Sequence, residues 1–172
     1  DITLVGKHPF YKPAVTFSIN QSDVVTSVSE SLKQGTLETF DIQGDIEVIP
    51  NFIDAKKYST SFTDCQRSNM ATEEERIVTH ISNFRKVKRI PDVIKIFSKI
   101  QLEIPSKLIM VGEGPEKAGA ERLCEELGIS DKVIFLGNSN EIDKILCFSD
   151  LFLLPSQSES FGLAALEAMI NK

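Results

Sequence analysis

The chain has 172 residues, of which 41% are hydrophobic and 26% charged, the composition of a globular protein with a packed core. Its 25 acidic residues outnumber its 19 Lys and Arg, so the formal net charge is −6 at pH 7. This balance excludes a general attraction to nucleic acid or to an anionic membrane. No apolar stretch approaches the roughly 20 residues that span a bilayer, and no signal pattern opens the chain, so we expect a cytoplasmic protein without stable membrane insertion.

Three cysteines, Cys65, Cys124 and Cys147, are odd in number and far apart, and none has a His partner at metal-ligand spacing. They are predicted to be reduced thiols rather than a disulfide framework or a zinc site. No metal site and no cofactor are therefore expected.

The first part of the chain is predicted to alternate helices with strands. A helical pattern over 13–21 is followed by a β-branched run at 23–28, and Ser29 is expected to cap a helix that continues to about residue 40. Residues 46–50 read as the next strand. The polar stretch that follows, over 54–75, lacks helical or strand periodicity and is predicted to be a linker.

The second part shows four apolar strands that alternate with four helices. The strands are expected at 76–82, 107–112, 133–137 and 151–155, and the helices at 90–103, 116–128, 140–148 and 161–170. This order predicts an α/β fold in which right-handed crossovers build a parallel sheet covered on both faces. Because ligands of such sheets bind beyond the carboxyl ends of the strands, the segments that follow the strands are the candidate site.

Four cations follow the first strand of this sheet and precede its helix: Arg85, Lys86, Lys88 and Arg89. Positive charge at a helix N-terminus opposes the helix dipole, which suggests that an anion such as phosphate offsets it. The alternative is a group of solvated surface cations.

Gly112 and Gly114 follow the second strand, and Pro115 suits the first turn of the next helix. The glycines would allow a ligand close to the backbone, although strand-to-helix turns also use Gly for purely steric reasons. Lys117 stands where a dinucleotide fingerprint would have its third glycine, which disfavours an oxidoreductase.

The segment PSQSESFGLAALEAM, residues 155–169, carries the strongest pattern. Ser158 or Ser160 can cap the helix and leave the amides of 161–163 directed at an anion. Glu159 precedes the helix, and Glu167 is the only charge in an otherwise apolar helix that is expected to be largely buried. Two carboxylates around a phosphate-binding helix start suit a nucleotide sugar, whereas a solvated Glu159 and a Glu167 paired to a neighbouring helix are the alternative.

With Glu159 and Glu167 in a Glu-x7-Glu arrangement, the sequence resembles the retaining GT-B glycosyltransferases, glycosyl transferases group 1. VVTSVSESL, VIPNFID, LIMVGEGPE, VIFLGNS and SDLFLLPSQSESFGLAALEAM follow that family's order over essentially the whole chain. The resemblance implies two Rossmann-like parallel-sheet domains, of which this chain holds parts. Residues 1–53 would end the acceptor-side domain, 54–75 would link the domains, and 76–172 would form the first half of the nucleotide-sugar-binding domain, so a fragment without a complete active site is expected.

The resemblance also implies roles for individual residues. Arg85, Lys88 and Glu159 would be catalytic, and Arg85 would replace the family's Arg, whose position is occupied by Asn83. The nucleotide-sugar-binding residues would be Gly112, Gly114, Asn138, Ser139, Asn140, Ser160, Phe161, Gly162, Leu163 and Glu167. Within that set, Glu167 would bind the ribose, residues 138–140 would border the base, and residues 160–163 would hold the donor sugar and distal phosphate.

ISNFRKVKRI and PNFID carry a closer resemblance within the family, which implies transfer of GlcNAc from a UDP-sugar to L-malate in bacillithiol biosynthesis. The reaction would be retaining and metal-independent. The expected partners are a UDP-sugar donor and a small-molecule acceptor, with a homo-oligomer left open. A related transferase for a cell-wall polymer or lipid acceptor, and a noncatalytic nucleotide-binding module, are the alternatives.

Overall fold

The computed structural model describes residues 6, 8–54, 67 and 70–171. The chain divides into two compact units, Asp1–Phe52 and Ile53–Lys172, called here the first unit and the second unit. Most of the predicted linker over 54–75 lies outside the described residues. None of the helices in the described ranges is long and apolar enough to cross a membrane.

The described residues of the first unit form two helices and two short strands. They are α1 (Lys12–Asn20), β1 (Thr26–Ser27), α2 (Glu30–Thr39) and β2 (Glu47–Val48). The strands pair in parallel, with Thr26 opposite Glu47. Ser29 caps α2 as predicted, because its hydroxyl accepts a hydrogen bond from the Leu32 amide at 3.1 Å. Both strands are shorter than their apolar patterns, since only two residues of each strand find a ladder partner.

In the part of the second unit that the structure describes, four strands alternate with four helices, as predicted. They are β3 (Arg76–Ile81), α3 (Ile90–Glu103), β4 (Ser106–Val111), α4 (Lys117–Glu126), β5 (Val133–Gly137), α5 (Ile142–Cys147), β6 (Leu151–Phe152) and α6 (Leu163–Asn171). All strands are parallel, in the order β5-β4-β3-β6. Their carboxyl ends therefore lie along one edge of the sheet.

Apolar residues pack on both faces of this sheet. Leu108 and Met110 of β4 face the cluster that contains the α3 residues, whereas Ile109 faces the cluster that contains Ile145 and Phe148. The inward residues of α3 recur at the spacing of one helix face: Ile90, Val93, Ile94 and Phe97. A strand buried on both faces reads as a continuous apolar run, which explains the sequence LIMV in β4.

Asp150 fastens the start of β6 to the start of β3, at the end of the sheet opposite the candidate site. Its carboxylate accepts hydrogen bonds from the Ile77 amide at 2.7 Å, from Arg67 at 2.9 Å and from Arg76 at 3.1 Å. Burial works to raise the pKa of Asp150, but these donors outweigh it and hold the pKa below its usual value. The short edge strand is thus held by charge as well as by its ladder.

Helix α6 corrects one prediction. It was expected to be largely buried, yet none of its residues is buried, and Met169 is 73% exposed. The physical reason is its place in the fold: α6 follows the edge strand β6, whose ladder is only two residues long, and within this chain it contacts mainly α5.

The cysteines depart in part from the prediction. Cys124 is a buried free thiol, and burial, reinforced by the nearby Glu121 and Glu125, raises its pKa to about 11. Cys147 is disulfide-bonded, so the predicted reduced state is wrong there. Cys65 lies outside the described residues.

Candidate active site

The turn after β3 places Lys88 at the carboxyl edge of the sheet. A short 3-10 turn spans Lys86–Lys88, closed by a hydrogen bond from the Lys88 amide to the Arg85 carbonyl at 2.8 Å. Arg89 follows with a φ of 54°, a left-handed conformation that non-glycine residues adopt rarely. The left-handed conformation of Arg89 ends the 3-10 turn and starts α3, so it sets the direction in which the chain continues after Lys88.

Lys88 and Glu159 form an ion pair between the loops that follow β3 and β6. The Lys88 Nζ lies 2.7 Å from the Glu159 Oε1, and the two side chains are only 17% and 27% exposed. A backbone hydrogen bond of 2.9 Å from the Gln157 amide to the Val87 carbonyl joins the same loops. Two of the three predicted catalytic residues, 71 positions apart in sequence, therefore meet.

The environment of Glu159 favours its ionised form. Burial works to raise the pKa of this carboxyl, but the hydrogen bond and the charge of Lys88 outweigh burial, so the pKa lies below its usual value. An ammonium group has three donors, of which Glu159 engages one, so Lys88 can also bind an anionic ligand. The pair thus offers an oriented cation beside a hydrogen-bond acceptor.

The remaining cations of this turn differ in their surroundings. Arg85 and Lys86 are exposed, whereas Arg89 pairs with Asp92 in the first turn of α3. Phosphate binding by Arg85 and Lys88 stays a prediction.

Gly112 and Gly114 are required by packing between two turns. At Gly112, where φ is +126°, a Cβ would lie 1.8 Å from the Ser82 carbonyl oxygen. At Gly114, a Cβ would lie 2.6 Å from the Phe84 carbonyl oxygen. Close packing between the two turns is therefore a sufficient reason for both glycines. The prediction that they also let a ligand come close to the backbone stays a prediction.

Helix α6 begins at Leu163, two residues later than predicted. Gly162 precedes it with a φ of +87°, outside the helical region, and its carbonyl accepts hydrogen bonds from the Ala165 and Leu166 amides at 3.0 and 3.1 Å. The proposed anion site over 160–163 therefore consists of the first helical residue and the three residues before it. Ser160 is exposed and Phe161 half-buried.

The other predicted binding residues lie in helix α6 and in the loop after β5. Glu167 is half-buried within α6, and residues 138–140 directly follow β5, where Asn138 and Asn140 are exposed. The Ser139 hydroxyl accepts a hydrogen bond from the Glu141 amide at 3.1 Å. Because β5 and β6 are the two outermost strands of the sheet, a ligand that reaches the loops after both would lie across the carboxyl ends of all four strands.

His80 is a residue of this region that the sequence reasoning missed. It is completely buried in β3, and its ring nitrogens lie 2.8 Å from the Leu153 carbonyl oxygen and 2.8 Å from the Ser82 hydroxyl. The sequence feature that could have pointed to His80 is the presence of a titratable residue inside RIVTHI, the segment predicted to be a buried strand. Within the described part of the chain, no group of three or more His, Cys, Asp or Glu side chains is placed to hold a metal ion.

Comparison with known proteins identifies the class. The family described as glycosyl transferases group 1 matches residues 62–172, and the chain belongs to this family. The predicted family is thus confirmed.

Individual relatives narrow the comparison. The chain is 45% identical over 170 residues to the N-acetyl-alpha-D-glucosaminyl L-malate synthase of Bacillus anthracis, covering 98% of this chain and 45% of that protein. It is 31% identical over 160 residues to the uncharacterized glycosyltransferase MJ1607 of Methanocaldococcus jannaschii, covering 88% of this chain and 41% of that protein. The chain therefore spans somewhat less than half the length of these curated relatives.

A solved structure shows the same fold. The crystal structure of Anabaena Alr3699/HepE in complex with UDP and glucose matches with a TM-score of 0.78 at 24% identity, covering 93% of this chain and 45% of that one. This likeness confirms the predicted α/β fold of GT-B type.

Proposed function

We propose that the chain is part of a glycosyltransferase that moves N-acetylglucosamine from UDP-GlcNAc to the hydroxyl of L-malate. The observation that carries the proposal is the Lys88–Glu159 pair at the carboxyl edge of a parallel sheet. The printed name of the Bacillus anthracis relative supports the choice of substrates. In this proposal, residues 1–53 belong to the acceptor-side domain, 54–75 link the domains, and 76–172 begin the nucleotide-sugar-binding domain.

Lys88 and Arg85 stabilise the departing UDP. As the bond between the sugar and the diphosphate breaks, negative charge grows on the β-phosphate, and an ammonium group already held in place stabilises that charge without reorganising. The ion pair with Glu159 supplies this preorganisation, since it holds the flexible Lys88 side chain in one position.

Glu159 binds the donor sugar. Its lowered pKa keeps the carboxylate ionised at neutral pH, the form that accepts hydrogen bonds from sugar hydroxyls. Glu167 accepts hydrogen bonds from the ribose hydroxyls, residues 138–140 border the base, and the backbone over 160–163 faces the distal phosphate.

The reaction retains the configuration of the sugar and needs no metal ion. The malate hydroxyl attacks the anomeric carbon from the side on which UDP departs, so one carbon–oxygen bond forms as another breaks on the same face. The hydroxyl proton passes to the leaving phosphate oxygen. Catalysis then depends on orientation of the two substrates and on the cations at the diphosphate.

A screen of nucleotide sugars with L-malate on the full-length protein, with UDP release as the readout, tests the proposal. The expected result is fastest release with UDP-GlcNAc, dependent on L-malate and unaffected by EDTA, with an α-linked product by NMR. Release only with a polymer or lipid acceptor would instead identify the related transferase. UDP binding without release in any mixture would identify a noncatalytic module.

A further inference from the structure

His80 is a buried titratable group at the candidate site to which the proposed mechanism gives no role. It precedes the last residue of β3 and is completely buried. One ring nitrogen, Nδ1, lies 2.8 Å from the Leu153 carbonyl oxygen. Since a carbonyl oxygen can only accept, Nδ1 must carry a proton.

The second ring nitrogen completes the arrangement. In a neutral imidazole with a protonated Nδ1, Nε2 has no proton and accepts a hydrogen bond. Its partner is the Ser82 hydroxyl at 2.8 Å, so the hydroxyl donates. His80 thereby connects the loop after β6, through Leu153, with the loop after β3, through Ser82.

This connection lies where the backbone ladder between the two strands stops. The β3–β6 register consists of Val78 opposite Leu151 and Thr79 opposite Phe152, followed by one hydrogen bond of 2.9 Å from the Leu153 amide to the Thr79 carbonyl. Beyond it, the His80 side chain continues the contact between the strands. The Gln157–Val87 hydrogen bond and the Lys88–Glu159 pair follow further along the same two loops.

We propose that His80, as the neutral imidazole protonated at Nδ1, is a positioning residue that holds the two loops in the register that the Lys88–Glu159 pair requires. The inference rests on the proposed function, because it assigns His80 an effect on transfer through Lys88 and Glu159. His80 itself touches neither residue by a hydrogen bond; it sets the base of the loops that carry them.

Protonation of His80 would disturb this arrangement. With a proton on Nε2, the ring could no longer accept the hydrogen bond from the Ser82 hydroxyl. Lys88 and Glu159 are the two charged groups that act on the ring, and the imidazolium would repel Lys88 and compete with it for Glu159. Burial, aided by Lys88, holds the pKa of His80 below its ordinary value, against the opposing effects of the Leu153 carbonyl and Glu159. The neutral form is therefore favoured at neutral pH.

The tautomer is tested by nitrogen-15 NMR on the 172-residue chain, independently of any activity. The chain has two histidines, and His8→Gln removes the signals of the other one. We expect a neutral His80 ring protonated at Nδ1 at pH 7, with a titration midpoint below that of an ordinary histidine. A ring protonated at Nε2, or an imidazolium at pH 7, would overturn the proposal.

The positioning role is tested by kinetics on the full-length protein. His80→Asn keeps an amide donor where Nδ1 stands but loses the bond to Ser82, and Ser82→Ala removes the same bond from the other side. Each variant is expected to lower kcat about tenfold, with the KM for the donor within about twofold, because the loops that carry Lys88 and Glu159 shift. The double variant should be no slower than the slower single variant, since both changes remove one bond.

Controls separate this role from a purely structural one. His8→Gln, at an exposed position of the first unit, should leave kcat unchanged. In wild type, kcat should fall at acid pH as His80 becomes protonated, with a midpoint below the ordinary histidine pKa. His80→Asn should not show this fall. An unchanged kcat in folded His80→Asn and Ser82→Ala, with only the melting temperature lowered, would refute the positioning role. Absence of turnover in wild type would refute the proposed function instead, while the tautomer measurement would still decide the state of His80.

Discussion

The two units share an alternation of helices and strands but differ in how much core they build. In the second unit, four strands with helices on both faces leave Phe84, Phe97 and Leu108 with no exposed surface. In the first unit, the strands have two residues each and α1 has no buried residue, so Phe17 is 66% exposed. Among the residues that the structure describes, two short strands cover little of the first unit's helices, whereas the four strands of the second unit pack apolar residues on both faces.

One ion pair from each unit shows the same contrast. Lys88 and Glu159 are mostly buried and 2.7 Å apart, whereas Lys33 pairs at 3.4 Å with Asp45, whose side chain is 93% exposed. An exposed pair is screened by solvent and holds no fixed geometry, while a pair between two anchored loops can orient a ligand. Closed packing and a preorganised site therefore occur together in the second unit.

The largest expected effect is on stability. Phe97→Ala should destabilise the second unit by about 3–5 kcal/mol, because it removes a fully buried ring and leaves a cavity. Phe17→Ala, at a mostly exposed position, should cost less than about 0.5 kcal/mol. Native-state hydrogen exchange under increasing urea measures each unit separately, and equal losses for both variants would contradict the difference between the units.

The next effect is on catalysis. Lys88→Ala in the full-length protein should lower kcat by about 100-fold or more, as removal of one positioned transition-state donor does. Lys33→Ala, which breaks the exposed pair of the first unit, should leave kcat unchanged. Steady-state kinetics decides the matter: if Lys88→Ala raises only KM, then Lys88 binds ground-state phosphate and does not stabilise the leaving group.

Two glycine substitutions should have opposite signs. Gly112→Ala should cost more than about 2 kcal/mol, since its Cβ would meet the Ser82 carbonyl in a backbone conformation open mainly to glycine. Gly35→Ala, in the middle of α2 with open space around its Cβ, should stabilise the first unit by about 0.5–1 kcal/mol. Thermal and urea unfolding measure both changes, and a tolerated Gly112→Ala would remove the packing explanation for this glycine.

The last expected effect is on nucleotide binding. Glu167→Gln should weaken UDP binding by about 1–3 kcal/mol, the value of a charge-assisted hydrogen bond, if Glu167 holds the ribose hydroxyls. Glu38→Gln, an exposed carboxylate of α2, is the matched control and should change nothing. Calorimetry on the full-length protein measures both affinities, and unchanged affinity in Glu167→Gln would make Glu167 a structural carboxylate.

Much of the second unit could be predicted because its signals are local. The spacing of the apolar residues over 90–103 indicated α3, and the run over 107–112 indicated β4, since each pattern repeats with the period of the element that it forms. Ser29 indicated its helix start because its side-chain oxygen can accept a hydrogen bond from a free amide of the first turn. Helix α6 began later than its pattern suggested, because Gly162 takes a left-handed conformation that hydrophobicity does not record.

The order of short apolar strands and helices was enough, by itself, to determine the parallel sheet of the second unit and the edge at which to look for a site. Only the tertiary structure decided which side chains meet at that edge. Lys88 pairs with Glu159, and His80 bonds to Leu153, across 71 and 73 positions of sequence, because β3 and β6 become neighbours only after two intervening strands take their places on the other side of β3. Contacts of that range depend on strand order and loop geometry, which no local periodicity contains.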